Sequence, residues 1–141
     1  MVAQTLSLAE HIPLGLTAKE RTQLLKLLIN TIRQQNQSRI KKQVTPSGDR
    51  WTARRNKSSM AMMRKLRSNK HFKVRTSDTM AAAGYSGHTA RIASIHHHGK
   101  RQQVGNRVIQ YTSRPLIGVT SQDKNKLINI TKQFVEDLDR A

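Results

Sequence analysis

Cysteine is absent from this 141-residue chain, which excludes disulfides, thiolate metal sites and cysteine nucleophiles and fits a reducing compartment. Aromatic residues make up only 4%, so an extended stacking platform for bases has few side chains to draw on. Acidic residues are scarce as well, at 8 against 26 Lys and Arg. Paired-carboxylate catalysis therefore has little material: Asp49, Asp78 and Asp123 are isolated, and Glu136, Asp137 and Asp139 lie on the polar side of a helical segment. No window approaches the roughly 20 apolar residues that span a bilayer. Met1 to Leu16 lacks a basic start followed by a sustained apolar stretch, so a soluble chain with no visible export signal is expected, with no membrane partner. Gly84 and Gly87 do not form a GxGxxG loop, and no glycine precedes a Lys-Ser or Lys-Thr pair at P-loop spacing, which argues against a nucleotide cofactor.

What the chain does carry is positive charge. A formal net charge of +18 repels copies of itself and attracts phosphates or acidic protein surfaces. The length suits a single domain, 1–141, while a hydrophobic fraction of 35% suggests that stability draws partly on partner subunits.

Residues 1–16 read as an N-terminal arm. Thr17-Ala18-Lys19-Glu20 has the form of a capping box, and Leu24, Leu25, Leu28, Ile32 and Ile40 then recur at helical spacing. A long amphipathic helix from Ala18 to Gln43 is predicted, its stripe read as core, with Thr45-Pro46-Ser47-Gly48-Asp49 as the turn that ends it. From Arg50 to Arg75 every charged residue is basic, including Arg54, Arg55, Lys57, Arg64, Lys65, Arg67, Lys70 and Lys73. Met60, Met63 and Leu66 or Arg67 suggest a short helix inside that stretch, followed by a strand at His71 to Thr76.

Ala81 to Gly87 is small and flexible in composition, and Thr89 to His98 is predicted to be a helix ending at Gly99, with His98 favourably placed at the negative end of its dipole. Lys100 to Arg107 reads as an exposed loop, Val108, Ile109 and Tyr111 as a short strand before Arg114-Pro115. Thr120 and Asp123 mark a second cap, and Leu127, Ile130, Phe134 and Leu138 give a final helix one apolar stripe. The order is α+β: a long N-terminal helix and a C-terminal helix packed on a small, mostly antiparallel sheet. There is no internal repeat.

His96-His97-His98, with His88 nearby, is the evident metal suspect. Adjacent side chains diverge on either a helix or a strand, and no carboxylate is close in sequence, so a structural or interface role is the preferred reading. Ser94 beside His96 and His97 lacks an identifiable orienting acid or oxyanion hole, and no catalytic residue is assigned. Nucleic-acid binding is the serious rival class. Arg50 to Arg75 offers phosphate contacts, and Trp51 and Phe72 are the aromatics available to stack on bases.

Three segments, taken together and in order, resemble the phage virion morphogenesis family, the tail completion proteins of contractile-tailed phages and their relatives in Mu-like phages. The first is Arg39-Ile40-Lys41-Lys42-Gln43 with Pro46 to Trp51 and Ala53-Arg54-Arg55, similar to a helix end, a Pro-x-Gly turn, an aromatic and a basic pair. The second is Arg91 to Gly99, with His96 on the family's histidine; His97 and His98 stand where relatives often carry glutamine and an aromatic. The third is Ile109 to Thr120, containing Arg114-Pro115 and Gly118, then Asp123 and the final helix.

The resemblance covers roughly Leu24 to Leu138. It implies a non-enzymatic virion protein, assembled in the bacterial host cytoplasm, acting in tail completion and head–tail joining at the head-proximal end of the tail. It implies a homo-oligomeric ring, six subunits by analogy with the sixfold tail, contacting tail and neck proteins, with the packaged double-stranded DNA as a further candidate partner. Interface or structural-motif candidates are Arg50, Trp51, Arg54, Arg55, His96, Gly99, Arg114, Pro115 and Gly118. In physical terms, Pro115 fixes the backbone, Gly118 allows a tight turn, Thr120 starts the last helix, and Arg114 either pairs with an acidic neighbour or is held by its own domain.

Overall fold

The computed structural model describes residues 3–7, 9, 12–56 and 60–140. Lys57 of the basic stretch and parts of the 1–16 arm lie outside the described residues. In chain order the elements are β1 (Ala3–Ser7), α1 (Ala18–Lys42), a 3-10 turn (Arg64–Arg67), β2 (Lys73–Thr76), β3 (Met80–Gly84), α2 (Gly87–His98), β4 (Arg101–Val104), β5 (Arg107–Gln110) and α3 (Ser121–Arg140). The architecture is the α+β arrangement expected, with three helices and two small antiparallel sheets among the described residues. Among the described residues no helix is long and apolar enough to cross a membrane.

α1 starts as its sequence dictates. Thr17 accepts from the Glu20 amide at 3.1 Å and its own amide donates to Glu20 at 2.8 Å, so two free donors of the first turn are satisfied. Arg39, Lys41 and Lys42 sit in the last turn, where the helix dipole favours cations. The buried face carries Leu24, Leu25, Leu28, Ile29, Ile32, Asn36 and Ile40. It lies across a three-stranded sheet of order β1-β3-β2. Ala81 and Ala83 of the central strand are fully buried, and their small side chains let the leucines and isoleucines of α1 approach. Each such leucine taken from water contributes about 1.5–3 kcal/mol.

Four sequence readings need correction. The small-residue stretch from Ala81 is the central strand β3 and not a flexible connection, because it pairs on both edges, with β1 and with β2. β1 itself falls in the supposed arm. Met60 to Leu66 does not continue as a helix: Met63 has φ 60°, a left-handed conformation that a right-handed helix excludes, and only Arg64–Arg67 turn. The polar piece after Lys100 is as exposed as expected, but it is half of a hairpin, β4 against β5.

Phe72 and Tyr85 close the far side of the core with ring centroids 4.9 Å apart. The Tyr85 hydroxyl donates to the Leu66 carbonyl, tying the 3-10 turn to the sheet, and burial raises the phenol pKa. α3 opens with the cap read from sequence: the Asp123 amide donates to the Thr120 hydroxyl at 3.1 Å and the Thr120 amide to Asp123 at 3.0 Å. α3 then runs along α1, burying Leu127 and half-burying Ile130, Phe134 and Leu138.

Candidate functional site

The three segments singled out in the sequence meet at one place. The extended stretch 111–120 is the belt around which they close. It makes no ladder of its own, and its polar groups bond several different elements. From α2, the carbonyl of His96 accepts from the Arg114 amide at 2.7 Å and that of His97 from the Ser113 hydroxyl at 2.9 Å. From the first segment, the Trp51 indole donates to the Pro115 carbonyl at 3.1 Å. From α1, buried Asn36 accepts from the Gly118 amide at 3.0 Å while donating to the Ile32 carbonyl. Arg39 reaches both Asn36 and the Asp123 carboxylate, so the belt, α1 and the start of α3 share one polar node.

Each candidate residue has a definite position. Arg114 is buried and donates to the Thr52 and Ala53 carbonyls, so its own domain holds it and it is no free partner for an acidic neighbour. Trp51 and Phe72 are buried as well, which removes both from any base-stacking role. Gly99 ends α2 with φ 67°, and a Cβ there would lie 2.8 Å from the Ser113 amide nitrogen. Gly118 is required by contact, since an added Cβ would stand 2.7 Å from Pro46, and not by the tight turn suggested for it. Arg50, Arg54 and Arg55 remain exposed; Arg54 reaches the Ala61 carbonyl at 3.3 Å.

The triple histidine divides. His96 stands edge-on to Tyr111, centroids 5.2 Å apart, with its Nδ1 buried and unbonded, while His98 is exposed. His97 Nδ1 accepts the Leu116 amide at 3.0 Å, which requires that nitrogen to be unprotonated. Burial, then the charge of Arg114, lowers the pKa of His96; burial, then His98, lowers that of His97. Above the ordinary value of about 6.5 both states are neutral and stability is full. As pH falls through that value the unfolded chain takes up protons that the folded chain refuses, so stability declines until the lowered folded pKa is reached. Thermal unfolding followed from about pH 7.5 to pH 5 should show a falling midpoint. His97→Asn keeps an acceptor for Leu116 and should flatten the slope; an unchanged slope would assign the effect elsewhere. Among the described residues no group of three His, Asp or Glu side chains is placed to hold a metal ion.

Sequence reasoning passed over Asn36 and missed the roles of Gln43, His97 and the Arg39–Asp123 pair. Asn36 had left a signal: it continues the four-residue series Leu28, Ile32, Ile40 with a polar side chain on the apolar face. Gln43 left none. Its side chain donates to the Met62 carbonyl and accepts the Met62 amide, both at 2.9 Å, clamping the basic stretch to the end of α1.

Two surfaces are left open by this interior. One is a groove of 1480 Å³ between α1, the basic stretch and α2, with Lys41, Arg64, Lys65 and Lys70 among its lining residues, Met63 and Ile92 supplying apolar surface, and no carboxylate. The other is the β4–β5 hairpin, exposed at every position, with Val108 at 68% and Val104 at 48% accessibility.

The described residues form a small α+β unit with a structural polar node and an open basic surface. The chain belongs to the phage virion morphogenesis family, whose model matches residues 7–136. It is similar to tail completion protein S of Escherichia phage P2, 27% identical over 133 residues, covering 86% of this chain and 89% of that protein. No solved structure matches it significantly.

Proposed function

We propose that the chain is a structural, non-catalytic virion protein that completes the phage tail and helps join it to the head, as a ring of like subunits at the head-proximal end. The observation that supports this best is the convergence of all three family segments on one node, within a match that runs nearly end to end. Those segments are used to build the subunit and not a reaction centre. The carboxylates agree: Asp78 is paired with Arg21, Asp123 with Arg39, Glu20 caps α1, and Asp49 lies in the turn after it. Ser94 makes no hydrogen bond to His96 or His97 among the described residues. A ring follows where a head-to-tail interface closes, and six copies would match a sixfold tail.

The test is electron microscopy of the lysate from a phage with an early stop codon in this frame, with and without added purified protein. Full heads beside separate tails, joined on addition, are expected. Normal virions from the mutant, or replication failing before heads appear, would end this reading and promote nucleic-acid binding.

A further inference from the structure

Among the described residues, the carboxylates of the body are engaged internally, but Glu136, Asp137 and Asp139 at the distal end of α3 are exposed and enter no ion pair. Phe134 and Leu138 on the core-facing side of the same turns are half-buried, so this end of α3 offers three carboxylates, with Arg140 beside them, flanking a part-covered apolar stripe. The groove is its complement: Lys41, Arg64, Lys65 and Lys70 are exposed along it, and Met63 and Ile92 give it apolar surface.

We propose that the acidic end of α3 of one subunit docks in the basic groove of the next. The interface rests on the ring reading above and names the surfaces that would close the ring. Three features favour a second copy as occupant. First, charge and apolar character are matched within a single sequence, and oppositely charged faces select the partner and fix its register. Second, donor and acceptor surfaces are different parts of the molecule, which makes the contact head-to-tail and able to propagate into a closed ring. Third, the apolar part of the groove suits the centre of a protein interface with a polar rim, whereas a duplex backbone would gain nothing from it. Methionine there adapts to an incoming helix without a fixed shape. The repulsion between chains of high net charge is screened beyond about 10 Å at 0.1 M salt, so contacts at the interface decide.

Sedimentation of the purified full-length chain at near-physiological salt should show association beyond a monomer. The triple reversal Glu136→Lys, Asp137→Lys, Asp139→Lys, and separately Lys41→Glu, Lys65→Glu, Lys70→Glu, should each weaken association by roughly 100-fold or more. Mixing the two reversed proteins should restore it, because each tip then finds a groove of opposite sign. The mixture has the mean charge of the wild type, so recovery reports complementarity and not net charge. All six positions are exposed, and melting curves check that the variants fold. As a second measurement, the cysteine-free chain permits Asp139→Cys and Lys70→Cys proteins to be mixed and oxidised; a disulfide between them is expected.

A monomeric wild type, reversed proteins that associate normally, failure of the mixture to recover, or no cross-link overturns the interface. So does a groove reversal that abolishes retention on duplex DNA while leaving the assembly mass unchanged, which would make the groove a nucleic-acid surface. Addition to the stop-codon lysate separates this inference from the tail role. Tails rescued by a chain that stays monomeric would remove the interface and the ring but leave the tail role, and a ring that forms through it without rescuing tails would remove the tail role alone.

Discussion

Asp123→Ala is expected to lower the free energy of unfolding by about 3–5 kcal/mol, the range for breaking a buried ion pair by deleting one member. The carboxylate is 5% exposed and its partner Arg39 15%. Removing it strands the guanidinium beside Asn36 and leaves the Thr120 amide without its acceptor. For a chain of this size a change of that order shifts the melting temperature by roughly 10 °C. Urea unfolding of Asp123→Ala reads this loss, and that of the wild type, Asp123→Leu, Arg39→Met and the double variant combining those two substitutions gives the coupling directly. Replacing both members by apolar side chains should recover much of the loss, since the pair's desolvation is then avoided. A single-variant loss under about 1 kcal/mol would mean the pair acts as a solvated surface bridge, and that apolar contacts alone hold α3 to α1.

Trp51→Ala should cost a similar amount, about 3–5 kcal/mol, by emptying a large buried volume. Trp51→Phe should cost less, chiefly the bond to the Pro115 carbonyl, which is worth about 1 kcal/mol. The pair of variants separates structure from recognition. If the indole is a core side chain, unfolding shifts while the duplex-DNA affinity of the still-folded protein, measured well below the midpoint, stays as in the wild type. A lowered affinity in Trp51→Phe with unchanged stability would reinstate the stacking role that its burial denies.

The helices were legible because their signals are local. The capping residues at Thr17 and Thr120 state where a helix begins, and apolar spacing states which face turns inward. β3 was not legible, because Met80 to Gly84 holds almost only small residues and lacks the β-branched and aromatic side chains that mark strands. Its placement comes from outside: α1 needs a floor it can approach closely, and alanine provides it. The candidate site was half legible. Gly99, Arg114, Pro115 and Gly118 were singled out as a pattern; the last three lie in the belt, and Gly99 packs against it at Ser113. Their roles were another matter, since the Gly118 requirement is Pro46, 72 positions earlier in the chain, and Arg114 spends its donors on Thr52 and Ala53. Partners that distant leave no local trace. The burial of Trp51 was hidden for the same reason, an aromatic within a basic run being indistinguishable in sequence from one turned into the core.

The hairpin stands apart from this interior. Its two-residue turn has glycine first, Gly105 at φ 62°, an arrangement that matches the natural twist of paired strands, and its register runs from Arg101↔Gln110 to Val104↔Arg107. Its strand positions are exposed throughout, and of its side chains Gln110 is the one with a bond to the body among the described residues, to the Gly99 carbonyl. Substitutions at the strand positions other than Gln110 should therefore carry little folding cost. The chemistry of this exposed tip can be altered without disturbing the node that holds the subunit together.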